Sequence, residues 1–402
     1  VTASDVDWEI LPRQANLSRL HDPLSNWKQL TLIERDNTPD TWSVHGPPSV
    51  LGIFEPGMGC ILNRNGEQVT SGQVAGIHRS AELVNDRVVE KMTISFAEDL
   101  TRLERIIFPT PSHNLTTAVS NFPAEYDLRT GAIETVIIDY IKNHAGSLAQ
   151  LDRRIDRLRV PATLGRGGTT QVSGRLDHLG VLVRSLAEAG NLRVTIKHTE
   201  DGGGAWLDVV IDSVSDLSAN IRFGTADSLA AGIITSWSYD REAPSTTRAI
   251  VAGGGEGAAR DFLQLDDTVI ETTWGGAVVE TLIDQRQVDP ASANKTAELT
   301  RAAQEALDEG AERIKVEFQP VLGPDLEYRR DVRVGDIVGY DLPGLAPAKE
   351  KIREATTVVS AEPGQATERV SVVVGSLDAM LSRAGLQQVK ALRAIDVIQR
   401  SQ

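Results

Sequence analysis

The apolar residues of this chain come in runs no longer than a strand, with glycine, asparagine or proline breaking the chain between them. That feature decides most of what the chain can become. The run at 132–138 is among the longest and already contains Glu134. None approaches the ~20 residues that a membrane-spanning helix needs. Val88, Glu90, Met92, Ile94 and Phe96 fall on one face of a period-two pattern. Asn65-Gly66 is a two-residue hairpin turn, because both residues tolerate positive φ. Leu30, Leu32, Trp42-Ser43-Val44, Ile61-Leu62 and 74–77 read as further strands. The stretch 8–108 is therefore predicted to be an antiparallel barrel or sandwich, closed off by Pro109 and Pro111.

The period changes after Pro123. Ile133, Val136, Ile137, Tyr140 and Ile141 lie at helical spacing, with Thr130 as the expected cap and Gly146 as the stop. Leu179, Leu182, Val183 and Leu186 mark a second helix that ends at Gly190. Alternating Leu192, Val194, Ile196 and Leu207, Val209, Ile211 follow, joined through Asp201-Gly202-Gly203-Gly204. Helix, helix and hairpin make a small α+β unit. Strands are expected again at 233–239, 248–252, 314–318, 336–340 and 367–374. A helix with a narrow apolar stripe is expected at 291–310, opened by Asp289-Pro290. Ser376 caps a final helical stretch.

Composition excludes several classes. Of 402 residues, 41% are hydrophobic and 24% charged, which rules out wholesale disorder and gives about two to four domains. Cys60 is the sole cysteine, so neither an intrachain disulfide nor a cysteine zinc site can form. No secretory signal is visible, and the Asn16, Asn114 and Asn294 glycosylation triplets carry no meaning without one. There are 41 basic and 56 acidic residues, a net of −15, and 18 of the acids against 8 bases lie in 261–341. Such a surface repels phosphate, so tight nucleic-acid binding is not expected.

Candidate chemistry is sparse. Gly253, Gly255 and Ala258 satisfy a GxGxxA spacing after a strand, the pattern that lets backbone amides meet a pyrophosphate. Glu256 puts negative charge where phosphate would sit, and no βαβ repeat precedes it. A structural glycine turn is expected there, and a flexible loop at Gly165-Arg166-Gly167-Gly168. The seven histidines, His21, His45, His78, His113, His144, His178 and His198, form no HxH or HExxH. No GxSxG elbow exists, and Cys60 is expected to be a buried packing residue. Carboxylates are too many for a glycosidase pair to be named from sequence. The six tryptophans are scattered, which argues against a carbohydrate-binding patch. No residue is assigned a catalytic, cofactor-binding or metal-ligating role, and no cofactor is expected. A structural or interaction protein is favoured over an enzyme.

Several stretches then point to a family. They are Trp27-Lys28-Gln29-Leu30, Glu34-Arg35-Asp36-Asn37, Trp42-Ser43-Val44, Pro56-Gly57-Met58-Gly59-Cys60-Ile61-Leu62, Gly66 and Ser71-Gly72. Later come Gly253-Gly254-Gly255-Glu256-Gly257 with Arg260, and Tyr328 with Asp331-Val332-Arg333-Val334-Gly335-Asp336-Ile337-Val338. Together, over residues 27–340, they resemble the tail hub family of long non-contractile-tailed phages infecting actinobacteria, also called minor tail proteins or baseplate hubs. The chain departs from that pattern at His45-Gly46-Pro47-Pro48.

The resemblance implies an α+β, β-rich, multidomain, tail-hub-like fold: two antiparallel β-barrel domains with an inserted α+β domain. Residues 1–123 would be the first barrel, to which strands near 230–260 could return. Residues 124–229 would be the α+β domain. Residues 230–376 would be the second barrel, with a helical insertion near 289–311, and 377–402 a C-terminal helical segment. The 335–338 stretch would form a barrel corner. The implied role is a homotrimeric ring at the virion tail tip, assembled in the host cytoplasm. It would join the sixfold tail tube and distal tail ring to the threefold tip or fibres. Its partners would be the distal tail protein, the tape measure protein and the tip fibre or receptor-binding proteins, with no membrane span. Genome DNA would pass acidic walls without specific binding. The chain, ending at 402, would be a hub with no enzyme attached. The alternative is a virion-associated cell-wall hydrolase using an unrecognised carboxylate pair.

Overall fold

The computed structural model describes residues 7–375 apart from 21, 85, 226–231, 289, 293–294, 323–324 and 363–364. Strand (46%) outweighs helix (17%), as the short apolar runs require. Two compact units are present: Val1–Thr235 with Gln319–Val374, and Ser236–Phe318 with Gly375–Gln402.

Unit 1 begins with β1 (Trp8–Arg13), β2 (Gln29–Arg35), β3 (Thr41–Gly46), the short helix α1 (Pro48–Leu51), β4 (Gly59–Arg64), β5 (Glu67–Val84) and β6 (Arg87–Glu98). They pair antiparallel in the order β1-β4-β5-β6-β3-β2. Alternation puts Leu30, Leu32, Trp42, Val44, Ile94 and Phe96 into one core. Trp42 stacks on Phe96 at 5.4 Å between ring centres, and Phe54 meets Phe96 edge-on at 5.1 Å. The β4–β5 hairpin turns at Asn65 (φ 53°) and Gly66 (φ 78°), as its sequence predicts. His45 and Gly46 complete β3, His45 paired with both β2 and β6 and Gly46 with β6, so the departure at 45–48 leaves the strand whole.

The α+β segment follows: β7 (Asp127–Ala132), α2 (Ile133–His144), β8 (Leu158–Arg159), β9 (Thr169–Gly174), α3 (Leu179–Ala189), β10 (Leu192–Asp201) and β11 (Gly204–Ser213). The predicted apolar faces of α2 and α3 and the inward residues of β10 and β11 share one core. Two local expectations fail. Thr130 lies in β7 and caps nothing; the helix opens after Ala132 without a side-chain cap. The loop at 165–168 is also pinned, not free. The carbonyls of Gly168 and Arg166 accept from Ile133 N (3.0 Å) and Glu134 N (3.1 Å), filling the orphan amides of α2. The buried Glu134 carboxylate in turn accepts from Leu164 N (3.1 Å), Arg166 N (2.8 Å) and the Arg166 guanidinium (2.7 Å). Gly167, at φ 78°, leaves no room for a side chain: a Cβ there would lie 3.0 Å from Ile133 Cβ.

After β12 (Arg222–Gly224), β13 (Gly232–Glu242) carries the chain into unit 2. There β14 (Arg248–Ala252), β15 (Phe262–Asp266), α4 (Thr268–Thr273), β16 (Glu280–Asp284) and α5 (Lys295–Glu309) form a three-stranded sheet in the order β15-β14-β16 with one helix over it. The apolar stripe Leu299, Ala302, Ala303, Leu307 packs on Ala249 and Val251. The described helix is Lys295–Glu309, and Asp289 and 293–294 lie outside the described residues. Then β17 (Arg313–Leu322) leads back to β18 (Ile337–Asp341), β19 (Ala348–Glu362) and β20 (Gln365–Gly375).

These last strands extend the first sheet and close on themselves. From β2 the order runs β19-β18-β12-β13-β17-β20, and β20 pairs again with β19. The turn at Gly335 (φ 92°) delivers Ile337 into β18, as its sequence suggests. The circuit is not wholly antiparallel: β12 runs parallel to both β13 and β18. It is reached from the α+β segment and not through a hairpin, so antiparallel pairing is not imposed on it. The predicted helical segment 377–402 lies outside the described residues.

Candidate functional site

The glycine run after β14 is a packed turn. A Cβ on Gly254 would lie 2.3 Å from Val288 O and 2.8 Å from Pro290 Cδ. Only a three-residue 3-10 turn, Gly257–Ala259, follows. Arg260 donates back to Gly253 O (2.9 Å) and Ala252 O (3.2 Å) and pairs with Asp284. Carbonyls answered by a guanidinium cannot cradle a phosphate, which needs free amides at a helix start.

The nucleophile and base candidates are likewise structural. Cys60 is fully buried, Trp42 Nε1 donates to its sulfur (3.3 Å), and burial pushes the thiol up to about 12. A thiol so held is inert. His144 is also fully buried. Its Nε2 lies 2.8 Å from Asp127 Oδ2, and its Nδ1 accepts from Phe108 N (3.4 Å). Both ring nitrogens are occupied, so this pair ties α2 to β7 and to the stretch after β6. Arg129 grips the same Asp127 at 2.8 and 3.1 Å. Among the described residues no group of three or more His, Cys, Asp or Glu could hold a metal.

A carboxylate pair does exist. Asp40 N donates to Glu98 Oε2 (2.9 Å), and Asp40 Oδ1 accepts from Arg35 N (2.9 Å). Burial, then the neighbouring Glu34, raises Asp40 to about 7; burial, then Asp40, raises Glu98. Both groups are shifted the same way, so the pair lacks the split between a raised acid and an ionised partner that hydrolases use. Here both groups are buried, Glu98 at the end of β6 and Asp40 just before β3. The open groove of about 420 Å³ lies elsewhere, lined by Pro109, Phe122, Pro123, Glu125, Arg175 and Leu176. Sequence could not find Asp40 and Glu98, which are 58 residues apart.

The remaining polar networks hold unit 1 together. Asn37, in the β2–β3 turn, donates Nδ2 to Leu192 O (2.9 Å) and accepts from Val194 N (2.9 Å). Its side-chain amide thus completes the open edge of β10 as a strand would. Beside it, Arg353 of β19 pairs with Asp36 (2.7 Å) and with Glu188 of α3 (3.0 Å), which also accepts from Lys351 (2.9 Å). At the other side of the first sheet, Arg13 meets both oxygens of Asp99 at 2.7 Å, with Ser71 and Arg102 at 2.8 and 2.9 Å. Exposed large apolar residues are spread over the described surface, Leu151, Leu164, Val269 and Leu282 among them, and one group lies on the outer part of the β5–β6 hairpin at Ile77, Leu83, Val88 and Val89.

The family described as Siphovirus ReqiPepy6 Gp37-like protein matches residues 7–376. No curated protein sequence matches the chain. Among solved structures the chain is similar to the 43 kDa tail protein of prophage MuSo2 from Shewanella oneidensis, at 14% identity and a TM-score of 0.48, covering 92% of this chain and 99% of that one. It is also similar to prophage tail protein gp18 from Listeria monocytogenes EGD-e, at 10% identity and a TM-score of 0.49, covering 95% and 99%. A tail protein from Neisseria meningitidis MC58 matches at 12% identity and a TM-score of 0.46, covering 92% and 97%.

Proposed function

We propose, for a chain that belongs to the Siphovirus ReqiPepy6 Gp37-like protein family, the role of tail-tip hub. That family is one of phage tail proteins, and the chain is a structural tail protein, not an enzyme. In the finer reading, three copies close into a ring at the tail tip. The ring joins the sixfold tube and distal ring to a threefold tip or fibres, beside the tape measure protein, and genome DNA leaves through its channel.

The observation that carries this reading is β19. Its residues Glu354 to Ser360 pair with β2 of the first sheet, and Ile352 to Glu362 pair with β20 of the closed circuit. One long strand thereby holds two β modules in fixed register. We read them as the two barrels, with 124–229 as the α+β domain between them. Two modules per chain and three chains per ring present six contact sites, which lets a threefold body sit on a sixfold one. Asp266, Glu280, Asp284, Glu305 and Asp308 are exposed acids of the 261–341 stretch that could wall the channel. DNA would pass them without adhering.

The test is native mass. Three chains of 43.5 kDa give about 130 kDa. A monomer at every concentration tried would sink the ring. Reversing several of those acids to lysine should slow DNA ejection from assembled virions, and an unchanged rate would remove the channel assignment.

A further inference from the structure

Beside the buried Arg13–Asp99 pair lies a group of arginines held together without acids of their own. A short 3-10 turn, Asp99–Leu103, follows β6 and carries Arg102, with Arg105 just beyond it. A second such turn, Leu151–Arg153, ends in Arg153. Arg105 Nε donates to Arg102 O (3.3 Å), and the Arg153 guanidinium donates to Ile106 O. Both side chains are thereby anchored on the one stretch 102–106. Arg153 also lies over the Phe108 ring, its guanidinium carbon 3.6 Å from the ring centre. Carbonyls and a ring hold these two cations in place.

The neighbouring acids are already taken. Asp99 serves both Arg13 and Arg102. Glu104 serves Arg184 at 2.9 Å and His178 at 3.9 Å. Among the described residues, neither Arg105 nor Arg153 has an ion-pair partner. Asp152, exposed on the second turn, acts on Arg153 only at a distance. The guanidiniums instead feel one another. Burial, then Arg102, lowers Arg105; burial, then Arg105, lowers Arg153. Arginine keeps its proton in any protein setting, so the fold carries this repulsion as a standing cost.

We infer that Arg105 and Arg153, with Arg102 beside them, form a binding site for a small dianionic oxyanion, of which inorganic phosphate is the simplest. The inference goes beyond the hub reading and stands whether or not a ring closes. Anchoring uses one N–H of each guanidinium and leaves the rest of a planar fork that matches two oxygens of an oxyanion. Both side chains are half-buried, so water competes less for an anion here than on an open surface. Arg13, Arg102, Arg105 and Arg153 against Asp99 and Asp152 leave an excess of two positive charges, which a dianion balances and a single carboxylate does not. The chain as a whole repels phosphate, but salt confines the field of distant acids to within ~10 Å. The cluster is a local exception to the overall charge.

The experiment is thermal unfolding of the full chain at about pH 8, where inorganic phosphate is mostly a dianion. Phosphate is titrated against sodium chloride at constant ionic strength, for the wild type and for Arg105→Gln. The wild-type midpoint should rise and saturate at about millimolar phosphate, and the variant should need about tenfold more for half the effect. Phosphate also stabilises folded chains through exclusion from their surface, an effect both proteins share. A rise that never saturates and is equal in the two would be that exclusion alone, and would overturn the site. Acetate in place of phosphate should do little; acetate as effective as phosphate would mean that one carboxylate suffices, and would overturn the dianion. A second readout needs no anion. In phosphate-free buffer Arg105→Gln should melt no lower than the wild type, because it removes a repelled charge. A loss of several degrees there would make Arg105 a prop of the fold and overturn the inference.

Discussion

The two halves of the β5–β6 hairpin are one piece of secondary structure in two surroundings. At the base, Phe96 is 1% exposed and wedged between Trp42 and Phe54. Toward the turn, Leu83 and Val88 lie open to solvent. The alternation of Val88, Glu90, Met92, Ile94 and Phe96 runs unbroken through both. Alternation therefore specifies a strand with one apolar face but not what covers that face. Where the chain supplies the cover, the residue is core; where it does not, the residue waits for something else.

The strongest way to break this contrast is to truncate one residue at each end. Phe96→Ala should cost ~4 kcal/mol, the range for emptying an aromatic site in a packed core. Leu83→Ala should leave the isolated chain within ~0.5 kcal/mol of wild type, because nothing of its own packs there. Urea unfolding of both variants at a concentration that keeps the chain monomeric decides it. Similar losses would mean that the tip is part of the fold.

The charged groups at the base give the next effect. Asp99 is fully buried, and Arg13 is nearly so. Burial pushes the Asp99 carboxyl up, but Arg13, Arg102 and Ser71 together outweigh it and hold it below the ordinary aspartate range. Asp99→Asn should cost about 3 kcal/mol, since it strands a guanidinium away from water. A loss below ~1 kcal/mol, read from the same unfolding curves, would show that water reaches Arg13.

The same region holds acids shifted the opposite way, and the signs can be separated by pH. Asp40, raised to about 7, stabilises the fold fully below the unfolded value of 3.8, and that contribution is lost as pH climbs toward 7. Asp99, lowered, contributes above 3.8 and loses its share as pH falls. Stability should therefore peak in mild acid and decline by a few kcal/mol from there toward about pH 7, a decline set by Asp40 and its partner Glu98. Asp40→Asn keeps an oxygen for Arg35 N and should flatten that decline. A variant that keeps the full slope toward neutral pH would assign the decline to other groups.

The same contrast explains how much of the protein was legible in advance. The apolar faces of α2 and α3, the Asn65-Gly66 turn, the β10–β11 hairpin and the burial of Cys60 all followed from local spacing, because local chemistry fixes them. The cap expected from Thr130 failed because strand pairing of β7 with β9 claimed that residue first. The loop at 165–168 looked free because its anchor, Glu134, lies 31 residues before Gly165 on another element. Asp127 with His144, Asp40 with Glu98, and the return of β20 to β19 depend on pairings that no local window contains. Parallel pairing of β12 was hidden for the same reason.

The smallest expected effect is also the sharpest test of what burial does. Arg79–Glu90 on the β5–β6 ribbon and Arg13–Asp99 at its base have nearly the same length, 2.6 and 2.7 Å. Geometry alone would rank them equal. On the ribbon, however, the partners are 60% and 45% exposed, so water competes for both charges, salt screens them, and two long side chains lose freedom in holding one arrangement. Glu90→Gln should shift the stability of the isolated chain by no more than ~0.5 kcal/mol, a shift that vanishes in high salt. Asp99→Asn should keep nearly all of its cost in the same buffer. If Glu90→Gln instead costs as much as Asp99→Asn, the ribbon's faces are already covered within a single chain, and the contrast between base and tip loses its physical ground.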